Sequence, residues 1–288
     1  MISSILLSCL LAAAAPLLVC TEDLSTLENV SIVDGRNSAD FAAGHIHGAV
    51  HLDADTLSEI RDGIHGLLKP LDQLHQIVGD AGINPEKHVV IYSDMADPEK
   101  RVKATRVFWA LQYMGFTRLS LLDGGIGKWK AEKRPLNTGA VRAEKVVLSG
   151  LVPRPELLAD QEDVKSMLRE GTGVVADLRP AAFFTGDKVK DYVSRKGHIT
   201  GACSLPNEEL FTGSEFVFKT PEALEQVYDR RGVKKDTRLI TYCNSGQAAS
   251  VGYFATLLLG NENTTLYDGS MAEWSQIENA SVSTEAPE

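Results

Sequence analysis

The sequence LITYCNSGQAASVGYFATLLL, residues 239–259, decides the fold of this chain. It opens with four apolar, β-branched or aromatic residues, which is typical of a buried strand, and it ends with an apolar segment of helical period. Residues 243–248, here called the cysteine loop, lie between them. The stretch therefore predicts a strand, a tight loop and a helix, with the thiol of Cys243 at the carboxyl end of the strand.

The cysteine loop has the form of an anion site. A short loop that closes onto a helix start directs several backbone N–H groups to one point, and the helix terminus adds partial positive charge. A cysteine held there is expected to act as a thiolate nucleophile. Gly246 suits a loop that needs positive φ or a close approach of backbone to ligand. The alternative is that Cys243 is a small apolar residue that ends a core strand.

Composition sets wide limits. The 288 residues, of which 43% are hydrophobic, are enough for a sizeable core and about two domains. The net charge is −10 and no Lys/Arg cluster stands out, so neither nucleic acid nor an anionic membrane surface is an expected partner. The four cysteines do not form a closely spaced framework, and no CxxC or HExxH motif occurs. We therefore expect no structural disulfides, no metal and no cofactor.

Residues 1–15, MISSILLSCLLAAAA, are typical of a secretory signal peptide. The apolar run ends in small residues suited to cleavage near Ala14 or Ala15, and it is short for a transmembrane span. No Lys or Arg precedes it, which is a departure from the usual pattern. We expect export to the periplasm or secretion, with a retained N-terminal anchor or a buried first helix as alternatives.

After this segment the chain repeats itself. Residues 30–36 return at 173–179, 44–49 at 197–202 and 123–129 at 268–274, and Asp94 lies opposite Cys243 when the strand ends are matched. These offsets of 143 to 153 residues imply a duplicated domain. We expect domains at 16–135 and 156–279, a linker at 136–155 and a frayed polar tail at 280–288.

Each copy alternates short apolar runs with longer segments of helical period. In the first copy we expect strands at 32–34, 50–52, 89–92 and 119–122, and helices at 38–43, 71–81 and 104–114. The alternation predicts an α/β fold in which each copy is a doubly wound, mainly parallel sheet with helices on both faces. Functional groups in such sheets gather at the carboxyl ends of the strands, where Cys243 and Arg179 are expected to lie.

The sequence resembles the tandem-domain rhodanese family of sulfurtransferases. The resemblance rests on the cysteine loop and on three motifs that occur in both copies, namely Asp-x-Arg, Gly-His-Ile-x-Gly-Ala and Asp-Gly-x4-Trp. The resemblance covers nearly the whole chain after the signal. It implies two rhodanese-like domains, a catalytic second copy, a first copy without its nucleophile, and an active site that faces the interface. Asp94 and Asp97 agree with this division, because an aspartate cannot carry a sulfane sulfur and carboxylates repel an anionic donor.

The resemblance also implies a double displacement. The thiolate of Cys243 takes a sulfane sulfur from a small anionic donor, becomes a persulfide, and passes the sulfur to cyanide or a thiol. The residues expected to bind the transferred sulfur and the donor through backbone N–H groups or side chains are Asn244, Ser245, Gly246, Gln247 and Ala248. Arg179 is expected to hold the anionic end of the donor, with a salt bridge as the alternative. We expect a monomer.

Three further side-chain types are assigned structural roles. His45 and His198 occur in both copies, one of which lacks the nucleophile, so a turn-stabilising role is favoured over proton transfer. Trp129 and Trp274 are expected to be packing residues. Cys203 is expected to be a buried spectator thiol and not a redox partner of Cys243.

The sequence leaves two candidates for the sulfur donor. Family members that favour thiosulfate carry basic residues after the cysteine, whereas residues 244–249 are neutral and share the small-Ser-Gly character of mercaptopyruvate enzymes. Because an exported enzyme meets thiosulfate more readily than a cytosolic keto acid, we favour thiosulfate and keep 3-mercaptopyruvate as the alternative. A Cys-x5-Arg phosphatase is disfavoured by Ala249. A catalytically silent binding or sensor module is disfavoured by Cys243 and Gly246.

Overall fold

The computed structural model describes residues 15–286 as two α/β domains, each built on a five-stranded parallel sheet. This confirms the predicted fold class. The predicted signal peptide lies, except for Ala15, outside the described residues. Across residues 15–286, no helix is both long and apolar enough to cross a bilayer.

The first domain contains nine strands and five helices within the described range. The strands are β1 (Leu18–Val19), β2 (Val30–Asp34), β3 (His45–Ile46), β4 (Val50–His51), β5 (Ser58–Arg61), β6 (Ile64–Leu68), β7 (His88–Tyr92), β8 (Leu119–Leu122) and β9 (Leu136–Asn137). The helices are α1 (Thr21–Leu24), α2 (Ser38–Ala43), α3 (Leu71–Asp80), α4 (Val102–Tyr113) and α5 (Gly125–Ala131), with a 3-10 turn at Ala54–Leu57.

The second domain repeats this plan over its described residues. The strands are β10 (Leu158–Ala159), β11 (Val174–Asp177), β12 (His198–Ile199), β13 (Cys203–Ser204), β14 (Phe211–Thr212), β15 (Val217–Phe218), β16 (Leu239–Tyr242), β17 (Thr264–Tyr267) and β18 (Val282–Ser283). The helices are α6 (Gln161–Glu170), α7 (Ala181–Phe184), α8 (Pro221–Asp229), α9 (Ala249–Leu258) and α10 (Ser270–Trp274), with 3-10 turns at Pro155–Leu157 and Asn207–Leu210.

The two main sheets have the same strand order, β1-β8-β7-β2-β4 and β10-β17-β16-β11-β13. The central strands β7 and β16 are buried along their whole length. Burial on both faces is why these strands are continuous apolar runs in the sequence. The sheet core therefore holds the carboxyl end of β16, and with it the cysteine loop, on a rigid support.

The strand register corrects one detail of the repeat. Asp34 pairs with Tyr92 in the first sheet, and Asp177 pairs with Tyr242 in the second. Tyr92 and Tyr242 are therefore equivalent, so Ser93, and not Asp94, occupies the position of the nucleophile. Matching the strands by their apolar ends was wrong by one residue. The first copy still lacks a thiol at this place.

Two predicted boundaries also change. Leu136 and Asn137, which we placed in the linker, form β9 and pair with β3. Val282 and Ser283, which we placed in a frayed tail, form β18 and pair with β12. Each domain thus ends with a short antiparallel pairing to its own Gly-His-Ile segment. These strands are only two residues long, too short to produce a periodic pattern in the sequence.

The domains pack through α4 and α9. Phe108 and Phe254 meet edge to face with ring centroids 4.9 Å apart, an arrangement worth about 0.5–1.5 kcal/mol beyond buried area. The hydroxyls of Thr105 and Ser250 lie 2.8 Å apart, and the Tyr253 hydroxyl donates to the Gln112 amide oxygen at 2.8 Å. The interface is therefore a continuation of the core.

The two Asp-Gly motifs cross this interface reciprocally. Asp123 accepts a hydrogen bond from the backbone N–H of Phe218 at 3.0 Å, and Asp268 accepts one from the backbone N–H of Leu68 at 2.5 Å. Asp268 also forms a 2.7 Å ion pair with Arg106, whose side chain is fully buried. Arg106 donates in addition to the Gly66 carbonyl at 3.0 Å. The first domain thus provides the counter-ion of a buried carboxylate in the second.

Replacing Arg106 with Met should lower the free energy of unfolding by about 3–5 kcal/mol, because Asp268 would be left as a buried charge without a counter-ion. Urea unfolding measures this. The double variant Arg106→Met/Asp268→Asn should lose less than the sum of the two single changes. Additive losses would contradict a direct interaction between the two charges.

Candidate active site

Cys243 follows β16 directly and faces a cavity of about 840 Å³ between the domains. The residue is only 3% exposed, but it lines this cavity together with Asn244, Ser245, Gln247 and Ala248. The thiol is therefore not sealed in the core. A small molecule in the cavity meets the sulfur and the cysteine loop at the same time.

Ser270, at the start of α10, holds the cysteine loop from behind. Its hydroxyl oxygen accepts hydrogen bonds from the backbone N–H groups of Cys243 and Gly246, both at 3.1 Å, and donates to the Tyr267 carbonyl at 2.9 Å. The N–H of Gly246, which we predicted to face the sulfur, is consequently occupied. This role of Ser270 carried no sequence signal, because it depends on contact between two loops.

The remaining amides of the loop are available. Within residues 15–286, the backbone N–H groups of Asn244, Ser245, Gln247 and Ala248 make no hydrogen bond. Unpaired N–H groups at a loop that leads into a helix attract negative charge. Four of the five amides predicted as donors are therefore without a hydrogen-bond partner in the described residues, and their role toward an anionic sulfur stays a prediction.

Gly246 is required where it stands. Its φ of 77° lies in the left-handed region, and a Cβ there would approach the Asp268 carboxylate to within 2.4 Å and Arg106 to within 3.1 Å. The buried interdomain ion pair thus lies directly against the cysteine loop. The predicted positive φ of Gly246 is confirmed, and a close approach of its backbone to a ligand stays a prediction.

Arg179 lines the cavity, but most of its guanidinium is occupied. Its Nε and Nη2 atoms donate to Asp177, and Nη2 also donates to the Gly197 carbonyl at 2.8 Å. In the first copy Arg36 makes the same contacts with Asp34 and Gly44. Arg179 therefore cannot form two parallel hydrogen bonds with a donor through Nε and Nη2, since these atoms already bind Asp177 and Gly197.

The free side of Arg179 points to the loop. Nη1 lies 3.3 Å from the Asn244 side-chain oxygen. Burial acts to lower the pKa of Arg179, but Asp177, with a smaller contribution from Cys243, leaves that pKa raised. Arg179 therefore stays cationic beside the thiol and positions Asn244. Donor binding by this residue stays a prediction, limited by the geometry to Nη1.

Ser245 is enclosed by two parts of the protein. The Tyr192 hydroxyl lies 3.5 Å from its side-chain oxygen, and Tyr192 stacks on His65 of the first domain at 4.5 Å. Gly66 lies so close that a Cβ there would be 2.4 Å from the Ser245 carbonyl oxygen. The β5–β6 hairpin, which the sequence analysis missed, therefore covers one side of the cysteine loop.

Gln247 bridges the domains. Its amide nitrogen donates to Asp55 at 2.7 Å, and its amide oxygen accepts from the Lys103 ammonium at 2.9 Å. Lys103 is also paired with Asp55. Both ends of the Gln247 side chain are consequently engaged, so its contribution to an anion in the cavity is the backbone N–H.

Positive charge prevails around the cavity. Its cationic residues are Arg101, Lys103, Arg179, Lys188 and Lys190, and its acidic residues are Glu99 and Glu208. The cysteine loop itself is neutral, as the sequence indicated, but the cavity is not. Arg101 and Lys103 carried no sequence signal, because they come from the start of α4 in the first domain, far from Cys243 in the chain.

The Gly-His-Ile histidines have structural roles. The Nδ1 atoms of His45 and His198 lie 3.0 and 2.9 Å from the carbonyls of Phe41 and Phe184. Each imidazole stacks on that same phenylalanine. The same arrangement in a copy without a nucleophile supports turn stabilisation over proton transfer. Across residues 15–286 no group of three potential ligands is arranged for a metal ion.

Cys203 is separate from the site. It pairs with Ala176 across β13 and β11, and Ala176 in turn pairs with Thr241. Two strand spacings, about 10 Å, therefore lie between Cys203 and β16, beyond the roughly 7 Å limit for a disulfide. Burial raises the pKa of Cys203 to about 11. These positions agree with a spectator thiol, although Cys203 is half-buried and not buried as predicted, because it lies on the edge strand β13.

Comparison with known proteins identifies the repeated unit. A family model described as a rhodanese-like domain matches residues 21–132 and 160–277. The chain is 32% identical over 243 residues to the 3-mercaptopyruvate sulfurtransferase of Escherichia coli (strain K12), covering 84% of each chain. It is 28% identical to the thiosulfate sulfurtransferase of Cricetulus griseus, covering 80% of this chain and 77% of that protein.

Solved structures show the same architecture. A crystal structure of a 3-mercaptopyruvate sulfotransferase from Escherichia coli superposes with a TM-score of 0.78 at 29% identity, covering 88% of this chain and 98% of the other. An anaerobic ergothioneine biosynthesis enzyme from Chlorobium limicola gives 0.80 at 22% identity, covering 90% of this chain. This chain spans 65% of that longer protein, and the likeness concerns the fold alone.

Replacing Gly246 with Ala should disrupt the cysteine loop, because the new methyl group meets both a left-handed backbone and the Asp268 carboxylate. Gly232→Ala is the matched control, since Gly232 has φ 71° and open space around its Cβ position. Backbone strain alone costs about 1 kcal/mol in each variant. Urea unfolding and labelling of Cys243 should show a larger effect for Gly246→Ala. Equal effects would contradict the steric role of the ion pair.

Cys203 should resist alkylation in the folded protein. With its pKa near 11, the thiol stays protonated around neutral pH, and its labelling by iodoacetamide should rise as the pH approaches that value. Peptide mass mapping over a pH series measures this, with urea-unfolded protein as the control in which the cysteine reacts normally. Rapid labelling of native Cys203 at neutral pH would show that its environment is different.

Proposed function

The chain belongs to the rhodanese family of sulfurtransferases, and we propose that it transfers sulfur from 3-mercaptopyruvate to a thiophilic acceptor through a persulfide on Cys243. The observation that carries this proposal is the position of the thiol. Cys243 lines an interdomain cavity beside four unpaired loop amides, within a cationic surround. An anionic sulfur species is the ligand that such a site stabilises.

The first half-reaction loads the enzyme. The thiolate of Cys243 attacks the sulfur of 3-mercaptopyruvate, the Sγ–S bond forms, and the carbon–sulfur bond of the donor breaks. The electron pair of that bond stays on carbon, which takes up the proton that the donor thiol releases, giving pyruvate. In this proposal the unpaired amides of residues 244, 245, 247 and 248 stabilise the persulfide anion.

The second half-reaction transfers the sulfur from the enzyme to the acceptor. A nucleophile such as cyanide or a thiolate attacks the outer sulfur, the S–S bond breaks, and its electron pair returns to Cys243 as thiolate. Neither half-reaction needs a base in the loop, since thiolate and persulfide are both anionic. Fixed donors and the cation of Arg179 beside the sulfur provide the stabilisation instead.

The donor is chosen on two grounds. The Escherichia coli relative at 32% identity is a 3-mercaptopyruvate sulfurtransferase, whereas we favoured thiosulfate from the sequence alone. The cysteine loop is neutral and most cations lie on other segments of the cavity wall, an arrangement that suits a donor whose charge is on a carboxylate away from its sulfur better than a compact dianion. Thiosulfate, the donor named for the Cricetulus griseus relative at 28% identity, is the second candidate.

Export and oligomeric state stay predictions. We propose that residues 1–15 direct the protein out of the cytoplasm and that the protein acts as a monomer. Comparing the amino terminus of the mature protein with the encoded sequence tests the first proposal, and light scattering tests the second.

Wild-type protein treated with 3-mercaptopyruvate should gain the mass of one sulfur atom on Cys243, because the persulfide is the loaded intermediate. Cyanide should remove that mass and release thiocyanate. Cys243→Ser should show neither change, and Cys203→Ser should behave as wild type. Parallel assays of pyruvate release from 3-mercaptopyruvate and thiocyanate formation from thiosulfate compare the donors. A mass gain only with thiosulfate would overturn the donor, and no gain with either would overturn sulfur transfer.

A further inference from the structure

One cation of the cavity is buried without a counter-ion. Arg101, the residue before α4, is only 3% exposed and lines the cavity that contains Cys243. No carboxylate of residues 15–286 forms an ion pair with it, and its Nε atom is buried without a hydrogen-bond partner. Among the described residues, its one side-chain hydrogen bond is a long 3.4 Å contact from Nη2 to the Ala96 carbonyl.

The guanidinium of Arg101 is nevertheless held in place. Its central carbon lies 4.0 Å from the ring centroid of Phe216 and 5.7 Å from that of Phe211, both in the second domain. Phe216 has φ 50°, a costly conformation for a bulky residue, and such strain concentrates at functional sites. The β14–β15 turn thus presents an aromatic face to an arginine of the first domain.

The other cations of the cavity are either bound to other residues of the protein or exposed to solvent. Arg179 is tied to Asp177, and Lys103 is shared between Asp55 and Gln247. Lys188 and Lys190 are exposed to solvent, so their charges are screened and their side chains are free to move. Arg101 is therefore the cation whose hydrogen-bonding capacity is both fixed in position and unused by the described chain.

Burying such a charge is unfavourable unless a partner completes it. Desolvation lowers the pKa of Arg101, and Glu208 and Asp97 offset this only in part. An anion bound in the cavity would supply the missing interaction. Since a guanidinium matches the planar shape of a carboxylate with two parallel hydrogen bonds, the best-fitting ligand group is a carboxylate.

We propose that Arg101 of the first domain binds the carboxylate of the sulfur donor and so sets donor preference at Cys243 of the second domain. This inference rests on the proposed function. It makes the first domain part of the substrate site, although that domain has no thiol at the position of the nucleophile. The stack on Phe216 positions the arginine, and the arginine contacts the substrate.

The test compares a charged donor with a neutral one. Arg101→Gln should lower kcat/KM for 3-mercaptopyruvate about 10- to 100-fold, mainly through KM, which is the range for loss of a charged hydrogen-bond partner. For mercaptoacetone, the same donor without its carboxylate, kcat/KM should change less than about twofold. The kcat/KM of Arg101→Lys for 3-mercaptopyruvate should lie between those of the wild type and Arg101→Gln, because lysine keeps the charge but cannot form two parallel hydrogen bonds.

Arg169→Gln is the matched control, since Arg169 is an exposed arginine on α6 outside the cavity. This variant should leave kcat/KM for both donors unchanged. Equal losses for the charged and neutral donors in Arg101→Gln would show a structural role only and overturn the proposal. So would an unchanged KM for 3-mercaptopyruvate. Thermal unfolding of each variant confirms that the comparison is made between folded proteins.

A binding experiment separates this inference from the proposed function. Pyruvate carries the carboxylate without the sulfur, and its binding to Cys243→Ala protein is measured by calorimetry. Binding that disappears in Cys243→Ala/Arg101→Gln supports the carboxylate site even if sulfur transfer from 3-mercaptopyruvate fails. Equal binding by both proteins, or no binding by Cys243→Ala, overturns the site even if the wild-type enzyme forms a persulfide.

Discussion

The structure depends on a buried ion pair between two domains. Arg106 comes from α4 of the first domain and Asp268 from the Asp-Gly motif of the second. Neither charge has solvent to stabilise it, so each requires the other at close range. Because Gly246 lies directly against the pair, the same contact that fixes the domains also fixes the loop around the sulfur of Cys243.

This constraint explains why a domain without a thiol at the nucleophile position is retained in the site. Its β5–β6 hairpin covers Ser245, its Lys103 holds Gln247, and its Arg106 supports the floor of the loop. The second domain supplies Cys243 and most of the cavity wall, and the first domain adds residues 98, 99 and 101–103 to that wall. The neutral loop consequently lies in a cationic cavity, since the charge comes from other segments.

Local sequence patterns were sufficient for the fold. The predicted helix at 38–43 and strand at 119–122 match the structure residue for residue, because apolar periodicity and short loops specify them. Ser93 was misplaced because an apolar run does not define the register between neighbouring strands. Ser270, Arg101 and the ion pair escaped prediction for a related reason: each acts across more than twenty positions of the chain, where only three-dimensional contact reveals a partner. Arg179 was found by its motif, but the motif shows only that it is near the site, and the geometry shows that its fork is used internally.

The reciprocal aspartates have a final consequence. Asp123 accepts a hydrogen bond from a backbone amide of the second domain, and Asp268 accepts one from a backbone amide of the first. Each domain thus satisfies a backbone N–H group of the other. A protein truncated to its second half would therefore lose more than stability. Cys243, the proposed nucleophile, would lie on an open face in bulk water. The proposed persulfide would then be accessible to any thiol in solution, and the enclosure that allows selection among reaction partners would be lost.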